Sequence, residues 1–371
     1  KKRHTAMKIL VTGTAGFIGF YTAKALREAG HTVVGLDNLN AYYDLRLKEA
    51  RLRESGLPAA PPYGEAVSAN AMPGLPAYRF IRLDITDGDA LNRLFEREKF
   101  EAVCHLAAQA GVRYSIEQPQ AYIESNLIGF FNVLEACRRF SVAHLVYASS
   151  SSVYGLNDKI PYNEADPVDH PVSLYAATKK SDELMSHVYS HLHGLRTTGL
   201  RFFTVYGPWG RPDMAPMKFL KAILSGEPIT VYNHGKLYRD FTYIDDIVKG
   251  IVKVLESSHV PSEIVAAALD TAATIPHDLS ARTSAVSART ASYRIYNIGR
   301  GEPILLTDFI ATLEKVSGRE AVKNYVGMQM GDVYRTYADT TALQRDFGYR
   351  PQVSLEEGLA KLYAWYKDFN L

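Results

Sequence analysis

The sequence predicts an α/β fold: a doubly wound, mainly parallel sheet followed by a smaller mixed C-terminal region. Three observations predict it. Short apolar runs recur without polar alternation, as strands covered on both faces do. Amphipathic helical patterns stand between those runs, and strand and helix in turn build a parallel sheet. A glycine-rich turn joins the first run to the first helix over residues 13–19.

Taken in order, the strand-like runs are 8–12, 32–37, 78–84, 101–107, 144–149 and 197–203. Helical patterns fill 17–29, closed by Gly30, then 121–140, then 174–193, closed by Gly194. After about residue 205 the texture shifts to shorter segments rich in Gly, Pro, Tyr and Asp, with a late strand over 293–298 and a helix over 307–316. We therefore divide the chain into residues 7–203 and 204–371, with the 293–298 strand expected to return to the first sheet. Two stretches carry no periodic pattern and read as surface insertions: 58–77, loaded with Pro, Ala and Gly, and 260–291, rich in Ala, Ser and Thr, in which 264–273 could form a short helix.

Composition narrows the function classes. The chain of 371 residues carries 42 lysines and arginines against 40 acids, a formal charge of +2. Its one basic cluster is Lys1, Lys2 and Arg3, so no phosphate-neutralising stripe points to nucleic acid. Met7, followed by a strand-like run, reads as a natural start, and residues 1–6 as a tail with no part in the fold. No apolar stretch reaches 18 residues, which argues against a spanning helix. Cys104 and Cys137 lack metal-ligand spacing and read as buried thiols, so no metal is expected and a reducing cytoplasm is the expected location.

At the end of the first strand stands Gly13-Thr14-Ala15-Gly16-Phe17-Ile18-Gly19. Gly13 permits a tight turn, Gly16 close approach of backbone to a pyrophosphate, and Gly19 close helix packing, while the helix N-terminus offers N–H groups to phosphate. A glycine-rich turn without a ligand is the plain alternative. Asp37, ending the second strand 18 residues after Gly19, favours a dinucleotide, because a carboxylate there accepts from the adenosine ribose hydroxyls and repels a 2′-phosphate. NAD is thus expected over NADP, in a Rossmann sheet. Asn38 follows Asp37. Asp84 and Ile85 at the third strand's end could edge and cover the adenine, with a helix N-cap as the rival reading of Asp84.

Tyr175 and Lys179 stand four apart on the predicted 174–193 helix, hence on one face. Tyr232 with Lys236 and Tyr363 with Lys367 repeat the spacing, so context must choose. Only Tyr175 follows a strand that ends in serines, Ser149 to Ser152, at the carboxyl edge where such sheets bind ligands. Hydroxyls beside a helical Tyr and Lys form a proton-transfer set, because an ammonium and a positive nicotinamide both favour the phenolate a general base needs.

In the order glycine loop, serine strand, Tyr-x-x-x-Lys, the chain resembles the extended short-chain dehydrogenase/reductase family over most of its length. The resemblance implies Ser150 and Ser152 as hydroxyls beside a sugar, Tyr175 as base and Lys179 as its partner and holder of the nicotinamide ribose. It further implies cofactor-side roles for the His105-Leu106-Ala107-Ala108 segment, Asn126 and Phe202, and a homodimer through the helices at 121–140 and 174–193.

The segment Thr204-Val205-Tyr206-Gly207-Pro208-Trp209-Gly210-Arg211-Pro212-Asp213-Met214 is the most specific string. It is similar to that of UDP-glucuronate 4-epimerases, as are 37–44, 109–115 and 238–246. The implied substrate is a UDP-sugar acid whose carboxylate, costly to bury unpaired, would be met by Thr204, Arg211 or Arg113. A structural ion pair is the alternative for either arginine. By the same resemblance Arg239 clamps the diphosphate, Tyr232 stacks near the uracil, Lys218 and Phe219 lie beside the base, and Asp332 is a nucleotide-side acid, although Gln329 stands where an arginine often does. Decarboxylases of related sequence carry an acid near the position of Ser152, so the serine favours epimerisation. Sugar-nucleotide decarboxylation, neutral UDP-hexose epimerisation and a non-catalytic NAD-binding scaffold are the competing readings.

Overall fold

The computed structural model describes residues 6–69, 74–257, 292–328 and 333–369. Its first half alternates as expected: β1 (Lys8–Thr12), α1 (Phe17–Glu28), β2 (Thr32–Asp37), α2 (Leu45–Glu54), β3 (Ala66–Ser68), β4 (Tyr78–Arg82), α3 (Gly88–Glu98) and β5 (Ala102–His105). Two short helices, α4 (Tyr114–Glu117) and α5 (Pro119–Tyr122), lead through a π-helical turn, Ile123–Ile128, into α6 (Gly129–Arg139). There follow β6 (His144–Ser150), a 3₁₀ turn (Ser151–Tyr154), α7 (Leu174–His193) and β7 (Thr197–Phe202). The remainder comprises β8 (Thr204–Tyr206), α8 (Ala215–Ser225), β9 (Pro228–Val231), β10 (Tyr238–Tyr243), α9 (Ile244–Glu256), β11 (Tyr293–Ile298), β12 (Pro303–Leu305), α10 (Leu306–Ser317), β13 (Val322–Tyr325), α11 (Thr341–Phe347) and α12 (Leu355–Asp368).

The main sheet runs β11-β7-β6-β5-β1-β2-β4-β3. Every pair is parallel except β3 with β4. The late strand does pair with β7, in register from Tyr293 with Thr197 to Ile298 with Phe202. From β1 the chain winds first toward β2 and later toward β5, so a crevice opens at the carboxyl ends of β1 and β5. Alternate residues of one strand feed the two faces. Ile9 and Val11 pack with Ala23 and Leu26 of α1 and with Ile247 and Ile251 of α9, while Leu10 packs with Leu91 and Phe95 of α3 and Phe130 of α6. At about 25 cal/mol per Å² of apolar surface, burial on both faces explains why these strands show no polar alternation. A third core joins Phe219 and Leu220 of α8 to Phe241, Phe309 and Leu359 around the sheets β12-β10-β8 and β13-β9.

Three expectations need correction. The 58–77 insertion is not free of structure, since β3 adds an antiparallel edge strand, Ala66 opposite Ile81. The 121–140 helix is not continuous, because the π turn interrupts it, and such turns mark places where a side chain is re-aimed. Six described helices, α2, α3, α4, α8, α9 and α11, were not foreseen. The 260–291 insertion lies outside the described residues.

Candidate active site

A cleft of about 360 Å³ opens where the crevice was expected, bounded by the glycine loop, the serine strand, α7 and the 204–214 segment. Gly13, Gly16, Phe17, Ile18 and Gly19 all line it. Gly13 has φ +77°, and a Cβ there would stand 2.8 Å from the backbone nitrogen of Ala107; one on Gly19 would stand 2.1 Å from the Gly13 carbonyl oxygen. Neither space is available, so only glycine lets the loop lie this close to β5 and α1. Asp37 fixes the loop from the next strand, accepting from Ala15 N at 3.1 Å and Leu39 N at 2.8 Å. It still faces the cleft, as do Asn38 and Ile85. Asp84 sits behind Asn38, whose amide donates to it at 2.7 Å. It is not the cap of α3, a role taken by Asp87, which accepts from Ala90 N at 3.0 Å.

Opposite the glycine loop, Leu106, Ala107 and Ala108 form the wall. Thr12 Oγ1 accepts from Leu106 N and Ala107 N, each at 3.1 Å, which leaves its own proton for His105 Nδ1 at 2.9 Å and places the imidazole proton on Nε2. Burial, reinforced by Lys179, pushes His105 down to about 3, so it is a neutral donor in the wall. Asn126, expected at the cofactor side, does not line the cleft; Ser125 does. The π turn aims Asn126 backward, where it accepts from Gln109 N at 2.8 Å and donates to Gln109 O and Thr178 Oγ1, both at 3.0 Å. It holds the wall to α7.

Ser150, Ser152, Tyr175, Lys179 and Phe202 line the same cleft. Ser173 caps α7, accepting from Ala176 N at 3.1 Å, and sets Tyr175 in the first turn. The Tyr175 ring meets Tyr122 edge-on at 6.1 Å. Ser150 Oγ donates to Ser152 Oγ at 3.1 Å and accepts from Ser152 N at 3.2 Å, so a 3₁₀ turn turns both hydroxyls into the cleft. Lys179 is buried, its Nζ 3.1 Å from Asp182 Oδ2. Neither of the other Tyr-Lys pairs reaches the cleft. Lys367 lies over the Tyr363 ring at 4.8 Å on α12.

Thr204 and Arg211 line the far end. The Arg211 guanidinium is paired with Asp213, Nε to Oδ1 at 3.0 Å, and Asp213 also accepts from Tyr42 OH at 3.0 Å. Arg211 thus forms the structural ion pair and also faces the cleft. The other substrate-side expectations are not brought to this cleft. Arg113 is exposed ahead of α4. On α8, Lys218 is exposed and Phe219 turns into the third core, 6.5 Å from the Phe309 ring, because Leu220 and Ile223 share its buried face. Tyr232 packs against that core, and Arg239 donates to Tyr238 O at 2.8 Å. Asp332 and Gln329 lie outside the described residues.

Two basic residues were missed. Lys48 lines the cleft 4.0 Å from Asp37 Oδ1 and bonds Asn40 O and Oδ1 at 2.9 and 2.8 Å. Arg51 is fully buried. It donates to Ala15 O of the glycine loop at 2.8 Å, and to Trp209 O of the Arg211 loop at 2.7 and 3.1 Å. One side chain thus ties the two ends of the cleft. The sequence signal available was a basic residue every few positions along α2, flanked by Leu47 and Leu52.

A family model described as the NAD dependent epimerase/dehydratase family matches residues 9–267. The chain belongs to that family. Among its relatives is a probable UDP-glucuronate 4-epimerase of Rhizobium meliloti (strain 1021), 47% identical over 361 residues that cover 97% of each chain. An uncharacterised 37.6 kDa protein of Escherichia coli O111:H- is 50% identical, covering 98% of this chain and 99% of that one. Among solved structures, the UDP-glucuronic acid 4-epimerase of Bacillus cereus in complex with UDP-glucuronic acid and NAD superposes with a TM-score of 0.79 at 33% identity, covering 98% of this chain and 99% of that one. The cofactor of this NAD-dependent epimerase/dehydratase fits the site on its own geometry: a loop whose missing Cβ atoms leave backbone open to a pyrophosphate, followed by Asp37 facing the cleft.

Proposed function

We propose that this enzyme interconverts UDP-glucuronate and UDP-galacturonate by 4-epimerisation through a transient 4-keto sugar. The observation that carries the reading is one continuous cleft holding the glycine loop, Tyr175 with Lys179 and the two serines, and Thr204 with Arg211. The relatives' activities support it. NAD, when bound, supplies a reversible two-electron acceptor for the sugar's C4. Tyr175 takes the proton of the 4-hydroxyl, and Ser150 and Ser152 hydrogen-bond the sugar oxygen beside it. Lys179, buried and cationic, favours the phenolate. After the keto sugar turns over, Tyr175 returns the proton to the oxygen, and no net redox change remains.

The 4-keto uronic acid is a β-keto acid and loses carbon dioxide readily. Arg211 and Thr204 restrain the carboxylate so that the bond to it stays poorly aligned with the carbonyl π system. Charge-assisted hydrogen bonds of this kind are worth about 1.5–3 kcal/mol. Arg211→Leu is therefore expected to lower kcat/KM for UDP-glucuronate by roughly 10- to 100-fold while UDP affinity stays within a few-fold, as read by steady-state kinetics and calorimetry. An equal loss for UDP and for the sugar acid would place Arg211 elsewhere.

The test of the reading is product analysis: the purified protein with UDP-glucuronate is expected to form UDP-galacturonate. UDP-pentose would instead favour decarboxylation, turnover of UDP-glucose alone a neutral epimerase, and bound NAD without turnover of any UDP-sugar a scaffold.

We further propose a homodimer through α7 and α6. Leu184, Val188 and Leu192 are exposed at a four-residue spacing along α7, beside exposed Ile128 and Phe131, a stripe that a second copy would cover. Leu184→Asp with Val188→Asp is expected to halve the mass seen by light scattering, whereas an unchanged mass would rule out this face.

A further inference from the structure

The buried face of α7 carries an acid that the mechanism above does not use. Asp182 is 1% exposed. Its Oδ2 lies 3.1 Å from Lys179 Nζ, and its Oδ1 has no hydrogen-bond partner. Ser186 and Tyr147 lie buried in the same layer between α7 and β6, facing each other.

The charges around this pair are few. On α7 itself, Glu183 is held by Arg201 of β7 at 2.8 and 2.9 Å and by the Ser149 hydroxyl of β6 at 2.6 Å, so that ion pair is self-compensating. His105 of β5 is pushed down to about 3 by burial and by Lys179, and is neutral. Burial pushes Tyr147 of β6, Tyr293 of β11, Tyr122 of α5 and Tyr154 of the 3₁₀ turn upward, so these stay neutral too. On α6, Glu135 pairs with Arg138 at 2.8 Å at the solvent side. Glu117 of α4 is exposed. Arg211, which also faces Tyr175 across the cleft, is paired with Asp213 at 3.0 Å. The cation on the inner face of α7 is Lys179, and the acid against it is Asp182. Burial pushes that acid up, and the Lys179 ammonium 3.1 Å away pulls it back down.

We propose that Asp182 is a positioning residue: its carboxylate holds the Lys179 ammonium and offsets part of that cation's field at Tyr175, so the charge on Asp182 sets how far down in pH Tyr175 still acts as base. The proposal rests on the reading of Tyr175 and Lys179 as the proton-transfer pair. A neutral isostere at 182 leaves the ammonium unopposed and favours the phenolate.

The test is the pH profile of kcat/KM for Asp182→Asn, with Ser186→Ala as a control that repacks the same layer without changing charge. The acid limb is expected to move down by about 1 unit in Asp182→Asn and to stay in place in Ser186→Ala. A limb that does not move in Asp182→Asn, with kcat lowered evenly at every pH, overturns the proposal and leaves Asp182 a packing residue. Asp182→Ser, which also removes the charge, serves if the amide variant is insoluble. A second readout does not need turnover: the tyrosinate absorbance step present in the protein and absent in its Tyr175→Phe variant should move to lower pH by the same amount. If no nucleotide sugar reacts, the functional reading fails, yet this titration still decides the role of Asp182. A step that stays in place refutes it.

Discussion

Tyr175→Phe is expected to lower kcat by about 10³-fold, the contribution of one well-placed general acid-base group, while binding of UDP-sugar and NAD changes by only a few-fold. The substitution removes one oxygen and keeps the ring that meets Tyr122 edge-on at 6.1 Å. The wall of the cleft therefore survives, and what is lost is a proton carrier beside Ser150 and Ser152. Steady-state kinetics and calorimetry on the same preparation separate the two effects. A variant that turns over near the normal rate would remove Tyr175 from the chemistry. One that loses nucleotide affinity as steeply as kcat would make it a structural residue.

Arg51→Met is expected to be the most damaging substitution away from the reacting centre. The guanidinium is fully buried and meets no carboxylate within 4 Å among the described residues; its bonds go to Ala15 O and Trp209 O, with Tyr43 OH at 2.7 Å. Methionine fills much of the volume and leaves those oxygens without a donor, at about 1–3 kcal/mol for each unsatisfied group. Stability should fall by on the order of 3 kcal/mol, and the glycine loop and the Arg211 loop should lose their common anchor. Thermal unfolding and retention of NAD through gel filtration read both effects. Arg51→Lys should recover only part of the loss, because an ammonium cannot reach two carbonyls as a planar fork does. Unchanged stability together with full cofactor retention would show that the two loops are set independently of this residue.

Much of the fold was legible because its strongest signals are local. The residue 13–19 turn, the end of β2 at Asp37 and the whole of α7 from its Ser173 cap to Gly194 lie where pattern and capping place them. Of the helices that escaped notice, α2 buries charge, whereas α3 and α9 carry clear apolar stripes, Leu91, Leu94 and Phe95 in one and Ile244, Ile247, Ile251 and Val254 in the other, that were legible in the sequence. The inward face of α2 is Leu47, Lys48, Arg51 and Leu52, and two cations on a buried face erase the apolar stripe that marks a helix. The missing stripe also hid Arg51 and Lys48 as residues of the site. The cleft-lining positions of the glycine loop, Asp37 and the Tyr-Lys pair were readable from short motifs; Asp84, which sits behind Asn38, and Asn126, which the π turn directs behind the wall, were not. Of the residues expected beside the nucleotide, Phe219 does not line the described cleft because it shares its helix face with Leu220 and Ile223, and motif likeness does not reveal which face of α8 turns inward.

The central claim is that one carbon of a sugar acid gives up its hydrogen and receives that same hydrogen back on the opposite face while Tyr175 carries the proton. The most direct measurement is turnover of UDP-glucuronate deuterated at C4, in ordinary water, without added cofactor. The account predicts UDP-galacturonate that keeps the deuterium at C4. Epimerised product carrying protium at that carbon, or a UDP-pentose with release of carbon dioxide, would contradict it.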